Sequence, residues 1–333
     1  MLPDDVLLEL FDIYLDQAGH IETWHTLVHV CRQWRCVVFA SPLRLKLQLL
    51  CSTKRPVMTT LAIWPAFPIA IDFDFVTTGV QPQGMDNIIA TLELHNRVCS
   101  INIRDIPNSL LNYLTAIRRP FPMLTELKIS SRDKAVPTVP DTFLGRSTSQ
   151  LRTLGLDGIP FLGLRKLLLS TRDLVDLDLR RIPHSGYIPP QAIISGLSSL
   201  MRLKKLILKF ESPQYLDDRA SWHPLPLRRI FLPALTVLVF KGDNQYLEDI
   251  VSRIDTPLLD CLGITFFNQL MFDTPLLSHF ISRTETFTAV HYADVFFGSS
   301  GVRITLMRRN GTSEKNPLTL QISCRPLIGN SRQ

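Results

Sequence analysis

His25 and His29 stand four residues apart, one turn of a helix, so their imidazoles could share one face and one metal ion. They lack the glutamate that a His-Glu-x-x-His site needs, and no third ligand is evident, so no metal is assigned. Cys31 lies two residues beyond His29 and could be read as a thiol nucleophile. A cysteine on an apolar helix face is far more often an inert core residue. The chain contains no Gly-x-Ser-x-Gly elbow, no Gly-x-Gly-x-x-Gly turn and no Walker-type loop. The expectation is therefore a protein with no catalytic residues, no cofactor and no enzyme activity of its own. Asn310-Gly311-Thr312 matches a glycosylation acceptor but reads better as a hairpin turn. The basic pairs Lys204-Lys205, Arg228-Arg229 and Arg308-Arg309 are scattered rather than interleaved with aromatics, so no nucleic-acid partner is expected.

The histidines and Cys31 belong to a helical stretch that organises the amino end. Pro3 suits the first turn of a helix, where its missing N–H has no partner to lose, and Asp4 and Asp5 sit at the positive end of the helix dipole. Val6, Leu7, Leu10, Phe11 and Tyr14 fall at helical spacing, and Leu27, Val30, Cys31, Trp34, Val37 and Val38 do so again. With Leu8, Ile13, Leu15 and Trp24 added, two short helices have more apolar surface than they can hide in each other. The pattern implies a helical hook that buries one face in its own chain and offers the other to a second protein.

Leu2-Pro3 opening a helix, the Val6/Leu7/Leu10/Leu15 pattern and Leu27…Val30-Cys31-Arg32…Trp34-Arg35 resemble the F-box. That resemblance implies docking on the Skp-type adaptor of a cullin–RING ubiquitin ligase, through Leu2, Pro3, Val6, Leu7, Leu10, Leu15, Leu27, Val30, Cys31 and Trp34. The Trp-Pro-x-x-Pro-Ile stretch (Trp64–Ile69) adds a looser similarity to the large F-box sets of mushroom-type, basidiomycete fungi.

The composition sets limits on the partners. The hydrophobic content of 45% supplies a real core, and a net charge of +6 over 333 residues is too dilute to imply nucleic acid. No apolar run reaches the ~18 residues of a membrane span, and the amino end lacks the basic-then-apolar pattern of a signal peptide. Cys31, Cys36, Cys51, Cys99, Cys261 and Cys324 include no Cys-x-x-Cys pair and read as free thiols of a reducing compartment, cytoplasmic or nuclear.

Beyond Ser41-Pro42 a frame of apolar-x-x-apolar-x-apolar recurs. It appears as Val98/Ile101/Ile103, Leu124/Leu127/Ile129, Leu151/Leu154/Leu156 and Leu174/Leu177/Leu179. It continues as Leu203/Leu206/Leu208, Leu235/Leu238/Phe240 and Leu259/Leu262/Ile264, with a weaker copy at Phe287/Val290/Tyr292. Starts lie roughly 23 to 32 residues apart, the range of leucine-rich repeats with a helical return leg. Amphipathic stretches such as Asn108–Arg118 and Gln191–Leu200 supply those legs, Thr77–Gly84 reads as a loop and Ser212–Pro226 as a surface insertion. Val302/Ile304/Leu306 and Leu318/Leu320/Ile322 alternate as a closing hairpin.

The expected fold is thus α/β: a short N-terminal helical F-box over 1–42, then an irregular leucine-rich-repeat solenoid, a horseshoe, over 43–333, capped from about 296. Strand residues that alternate with the apolar frame would face its concave side, and Arg104, Lys128, Asp157, Asp178, Arg180, Lys209 and Lys241 are the target-binding candidates there. Arg180, Lys209 and Lys241 would form a basic column for an acidic or phosphorylated segment. The functional expectation is a substrate-recognition subunit with an adaptor, a cullin scaffold and an unknown protein target as partners, and neither nucleic acid nor membrane. The alternative is a leucine-rich-repeat interaction scaffold unconnected with ubiquitin.

Overall fold

The computed structural model of the chain describes residues 2–18, 22–42, 44–52, 57–64, 66–78, 82–133, 135–146, 149–213, 229–267, 273–288, 292–298, 301–307 and 318–323. Its helices are α1 (Asp4–Ala18), α2 (Trp24–Val28), α3 (Arg32–Ala40), α4 (Val57–Ile63), α5 (Phe75–Thr78), α6 (Pro82–Leu92) and α7 (Asn108–Ala116). They continue as α8 (Leu164–Ser170), α9 (Pro190–Leu197), α10 (Asn244–Val251), α11 (Pro275–Arg283) and α12 (Glu285–Thr288). The strands are β1 (Leu49–Cys51), β2 (Ile69–Asp74), β3 (Val98–Arg104), β4 (Glu126–Ser130), β5 (Thr153–Asp157), β6 (Asp176–Ile182) and β7 (Lys205–Phe210). After them come β8 (Ile230–Phe231), β9 (Val237–Gly242), β10 (Ile254–Asp255), β11 (Cys261–Phe266), β12 (Tyr292–Gly298), β13 (Gly301–Met307) and β14 (Leu318–Ser323).

Twelve of these strands form one sheet in the order β1-β2-β3-β4-β5-β6-β7-β9-β11-β14-β13-β12. The run from β1 to β11 is parallel, β14 joins it in parallel, and β13 and β12 are antiparallel. The short β8 and β10 pair separately. This corrects the expected fold class of a helical F-box followed by a leucine-rich-repeat horseshoe: the chain builds a continuous parallel α/β sheet with helices alternating along it. The physical reason is that the repeated frame is local. Leu127 and Ile129 point inward from β4 while Glu126, Lys128 and Ser130 point out, which specifies a strand and its buried face. It does not specify the architecture that such strands assemble.

Each fully buried Leu or Ile of those frames contributes roughly 1.5–3 kcal/mol. The return helices present Leu110, Leu111 and Leu114 from α7, and Ile193, Ile194 and Leu197 from α9, to the same core. Just ahead of the strands the ladder is extended by backbone bonds from Thr125 N–H to Cys99 O, Arg152 N–H to Thr125 O and Val175 N–H to Arg152 O. Among the described residues no helix is long and apolar enough to cross a membrane.

Three strands end in the same way. Asp105, Gly158 and Arg181 take φ of 55°, 75° and 44°, and each is followed by an Ile-Pro step. The left-handed residue turns the chain so that Ile106, Ile159 and Ile182 drop into the core, and the proline then bars further ladder pairing.

Elsewhere the elements differ from expectation. The loop read over Thr77–Gly84 is partly helix, because Pro82 opens α6 at a position where proline is favoured. Leu45 and Leu47 are buried ahead of β1, with Lys46 between them in a turn at φ 49°, and Leu49 opens the strand. The pairing of β13 with β14 is that of a hairpin, while its Asn310-Gly311 turn and most of the Ser212–Pro226 insertion lie outside the described residues.

Two apolar clusters result. The larger runs under the sheet from Cys51 to Phe287. The smaller joins Leu7, Leu8, Phe11, Trp24, Leu27, Val28, Val37 and Val38 of the first three helices to Leu45, Leu47, Leu49 and Phe67.

Candidate docking surfaces

α1 carries two apolar stripes. Leu7, Leu8 and Phe11 face inward, and Val6, Leu10, Ile13 and Tyr14 face solvent, in line with the exposed Leu2 just ahead of the helix. The outer residues are spaced by three or four, so they make one continuous strip rather than scattered contacts. α2 and α3 meet it at a corner formed by His29, Val30 and Cys31, with Cys31 in extended conformation as the residue before α3. Between helix and corner lies a groove of about 320 Å³ lined by Leu10, Phe11, Tyr14, Thr26, Leu27, Val30 and Trp34.

The groove is held open by specific bonds. Phe11 and Trp34 meet edge to face with centroids 4.8 Å apart. The Tyr14 and Thr26 hydroxyls lie 3.3 Å apart, and Thr26 Oγ1 donates to Thr23 O at 2.7 Å. Gln33 Nε2 donates to Leu2 O and to Asp4 Oδ1, which ties α3 to the start of α1. On the other flank Arg44 donates to Asp12 and Glu9, and its hydrogen bond to Asp12 raises its guanidinium above the ordinary value. The scaffold of the groove is thus fixed before any partner arrives.

The ten residues read as adaptor-binding divide. Leu2, Pro3, Val6, Leu10, Val30 and Cys31 are exposed. Leu15 and Trp34 are half-buried. Leu7 and Leu27, at 1% and 5% exposure, are core residues, although Leu27 also forms part of the groove floor. A helix with two apolar stripes does not declare in its sequence which one turns inward. Ile13, Tyr14 and Thr26 were not among the contact candidates, yet all belong to this surface. The step of four from Leu2 through Val6 and Leu10 to Tyr14 was the signal for one of them.

The histidines are drawn into aromatic packing. His25 stacks on Trp64 at 4.9 Å and 15°, and His29 meets the same indole edge-on at 6.3 Å. Among the described residues no group of three His, Cys, Asp or Glu is placed to hold a metal.

The cysteines separate by environment. Burial pushes the thiols of Cys51 and Cys99 up to about 11, with Cys51 also sharing a 2.9 Å hydrogen bond with Thr91. Cys31 and Cys36 are exposed and unpaired. In the native protein at pH 8, alkylation followed by peptide mass spectrometry is expected to modify Cys31 and Cys36 and leave Cys51 and Cys99 protected until denaturant is added.

The outward face of the sheet is a second candidate surface. Across it, Asp72, Asn102, Lys128, Gly155, Asp178, Ile207 and Val239 stand in register. Most of its charges are already paired: Arg104 with Asp74 at 3.4 Å, Lys128 with Glu126 at 2.5 Å, and Asp157 with Arg181 at 2.6 Å. Arg180 is bound bidentately by Asp178 at 2.7 and 2.8 Å. The pairing register also shifts between Leu179 and Ile182, which separates Arg180 from the lysines. Of the expected basic column, Lys209 and Lys241 are therefore the two brought side by side, and Lys241 also sits 5.3 Å from the Phe267 ring centre. No family model matches the chain, and no curated protein matches it.

Proposed function

We propose that the chain is the substrate-recognition subunit of an SCF-type ubiquitin ligase, using the N-terminal helices as an F-box for a Skp-type adaptor on a cullin scaffold. The observation that carries this reading is the unsheltered apolar strip of Leu2, Val6, Leu10, Ile13 and Tyr14 beside the groove that Val30 and Trp34 line. A contiguous exposed apolar patch with a preformed groove is what a protein interface requires. The outward sheet face, on which Lys209 and Lys241 stand side by side, would hold the protein target. The subunit does no chemistry itself: tethering a target lysine near a charged thioester raises its effective concentration. The unpaired thiols of Cys31, Cys36, Cys51, Cys99 and Cys261 suit the cytoplasm or nucleus.

A second reading, an interaction scaffold outside the ubiquitin system, is favoured by one feature. The same helices pack on Leu47, Leu49 and Phe67 at the β1 end of the sheet, as a simple cap would. Calorimetric titration of a Skp-type adaptor separates the two. Leu10→Lys and Val30→Glu are each expected to weaken binding about tenfold or more while leaving the melting temperature unchanged, because both side chains are already in solvent. No binding by the wild-type chain, or binding indifferent to both changes, leaves the cap.

A further inference from the structure

β12 ends the twelve-stranded sheet: it pairs with β13 on one side and, among the described residues, with no strand on the other. Such an edge exposes a row of unpaired backbone N–H and C=O groups, which folded proteins ordinarily blunt. The opposite edge is blunted, since β1 is three residues long and the helical cluster packs beside it. Among the described residues β12 has no such protection. It is seven residues long, holds no proline or lysine, and has a single charge at Asp294. Val295, Phe296 and Phe297 are exposed to 46%, 62% and 76%.

We propose that β12 is a self-association strand, pairing antiparallel with β12 of a second copy about a twofold axis at Val295. In that register Val295 faces Val295, Asp294 faces Phe296, Ala293 faces Phe297 and Tyr292 faces Gly298. The lone carboxylate therefore never meets its own copy.

Two features of the neighbouring strands fit this occupant. Ile304 and Val295 stand in register across β13 and β12, so an apolar row reaches the open edge. The twofold carries it on into the second molecule without a break. On the other face Phe296 stands opposite the exposed Arg303. The second copy's Asp294 would then lie one strand beyond Phe296, about 10 Å from Arg303 between Cβ positions, two strand spacings. An extended arginine spans that gap over the phenylalanine ring, and symmetry makes the ion pair twice.

The test is sedimentation equilibrium of the full chain up to about 100 µM, the range where weak specific dimers are populated. The wild type is expected to be a reversible dimer. Val295→Lys and Val295→Asp alone each place like charges against each other on the axis and are expected to raise the dissociation constant about tenfold or more. An equimolar mixture of the two variants is expected to restore a dimer containing one chain of each, which a misfolded variant could not do. A wild type that stays monomeric, as it would if the edge served a different protein, overturns the proposal. So do variants that dimerise undiminished, or a mixture that remains monomeric.

Discussion

Trp24→Ala is expected to cost about 3–5 kcal/mol of stability by cavity formation alone, and about 1 kcal/mol more for an orphaned carbonyl. Trp24 is 1% exposed, and its ring meets those of Trp64, Phe67 and Phe39 with centroids 5.2, 5.5 and 6.3 Å away. Its indole Nε1 donates to Gln48 O at 3.0 Å, which fastens α2 to the segment entering β1. The cluster it centres has only a dozen buried residues, so little remains to close the void. Trp24→Phe keeps most of the apolar volume and loses the donor, and is expected to cost about 1–2 kcal/mol. Urea denaturation of both variants checks the magnitudes. Because the groove residues stand on this cluster, the alanine variant is also expected to lose the partner that Leu10 and Val30 would contact.

Gly158→Val is the second large effect, expected at about 3 kcal/mol or more, the sum of an unfavourable left-handed backbone and a steric shift. At φ 75° a β-branched side chain is disfavoured, and any Cβ there would stand 2.4 Å from Ser131 O. That oxygen cannot retreat freely, since it accepts from Arg181 Nη2 at 3.0 Å, and the adjacent Ser131 N–H donates to Asp157 O. The Arg181 guanidinium closes the other side, its atoms 3.4 and 3.5 Å from the same Cβ position. Asp105 and Arg181 occupy the equivalent positions of their own strands without being glycine, so the demand at Gly158 comes from crowding more than from φ. Urea denaturation followed by circular dichroism measures it, with Gly158→Ala expected to fall between wild type and valine.

These two sites mark where sequence reading succeeds and where it stops. The frames from Val98 to Ile264 each place strand residues in the core, because alternation at period two is a local property of the chain. The Ile-Pro steps were visible too, but not their left-handed partners. Gly158 advertises such a conformation, whereas aspartate and arginine at 105 and 181 do not. The architecture of the sheet was misread because the same frame suits more than one assembly of parallel strands. On the docking surface, Leu7 and Leu10 are indistinguishable by type. Only the packing of Leu45, Leu47 and Phe67 against one side decides that Leu7 goes in and Leu10 stays out. The pairing of Asp178 with Arg180 was legible, since residues two apart on a strand share a face. The bidentate geometry of that pair, which engages the Arg180 guanidinium, is visible only in the structure.

The division into two apolar clusters has an optical consequence. Of the four tryptophans in the chain, Trp24 lies inside the small cluster and Trp34 and Trp64 pack against it. Intrinsic emission is therefore dominated by the helical end, while far-ultraviolet dichroism sums over the whole sheet. When the two signals are recorded on one sample, their coincidence or separation tells whether the helical end melts with the sheet or on its own. Trp34, sitting in the groove wall, would make the same emission a direct readout of whatever settles there.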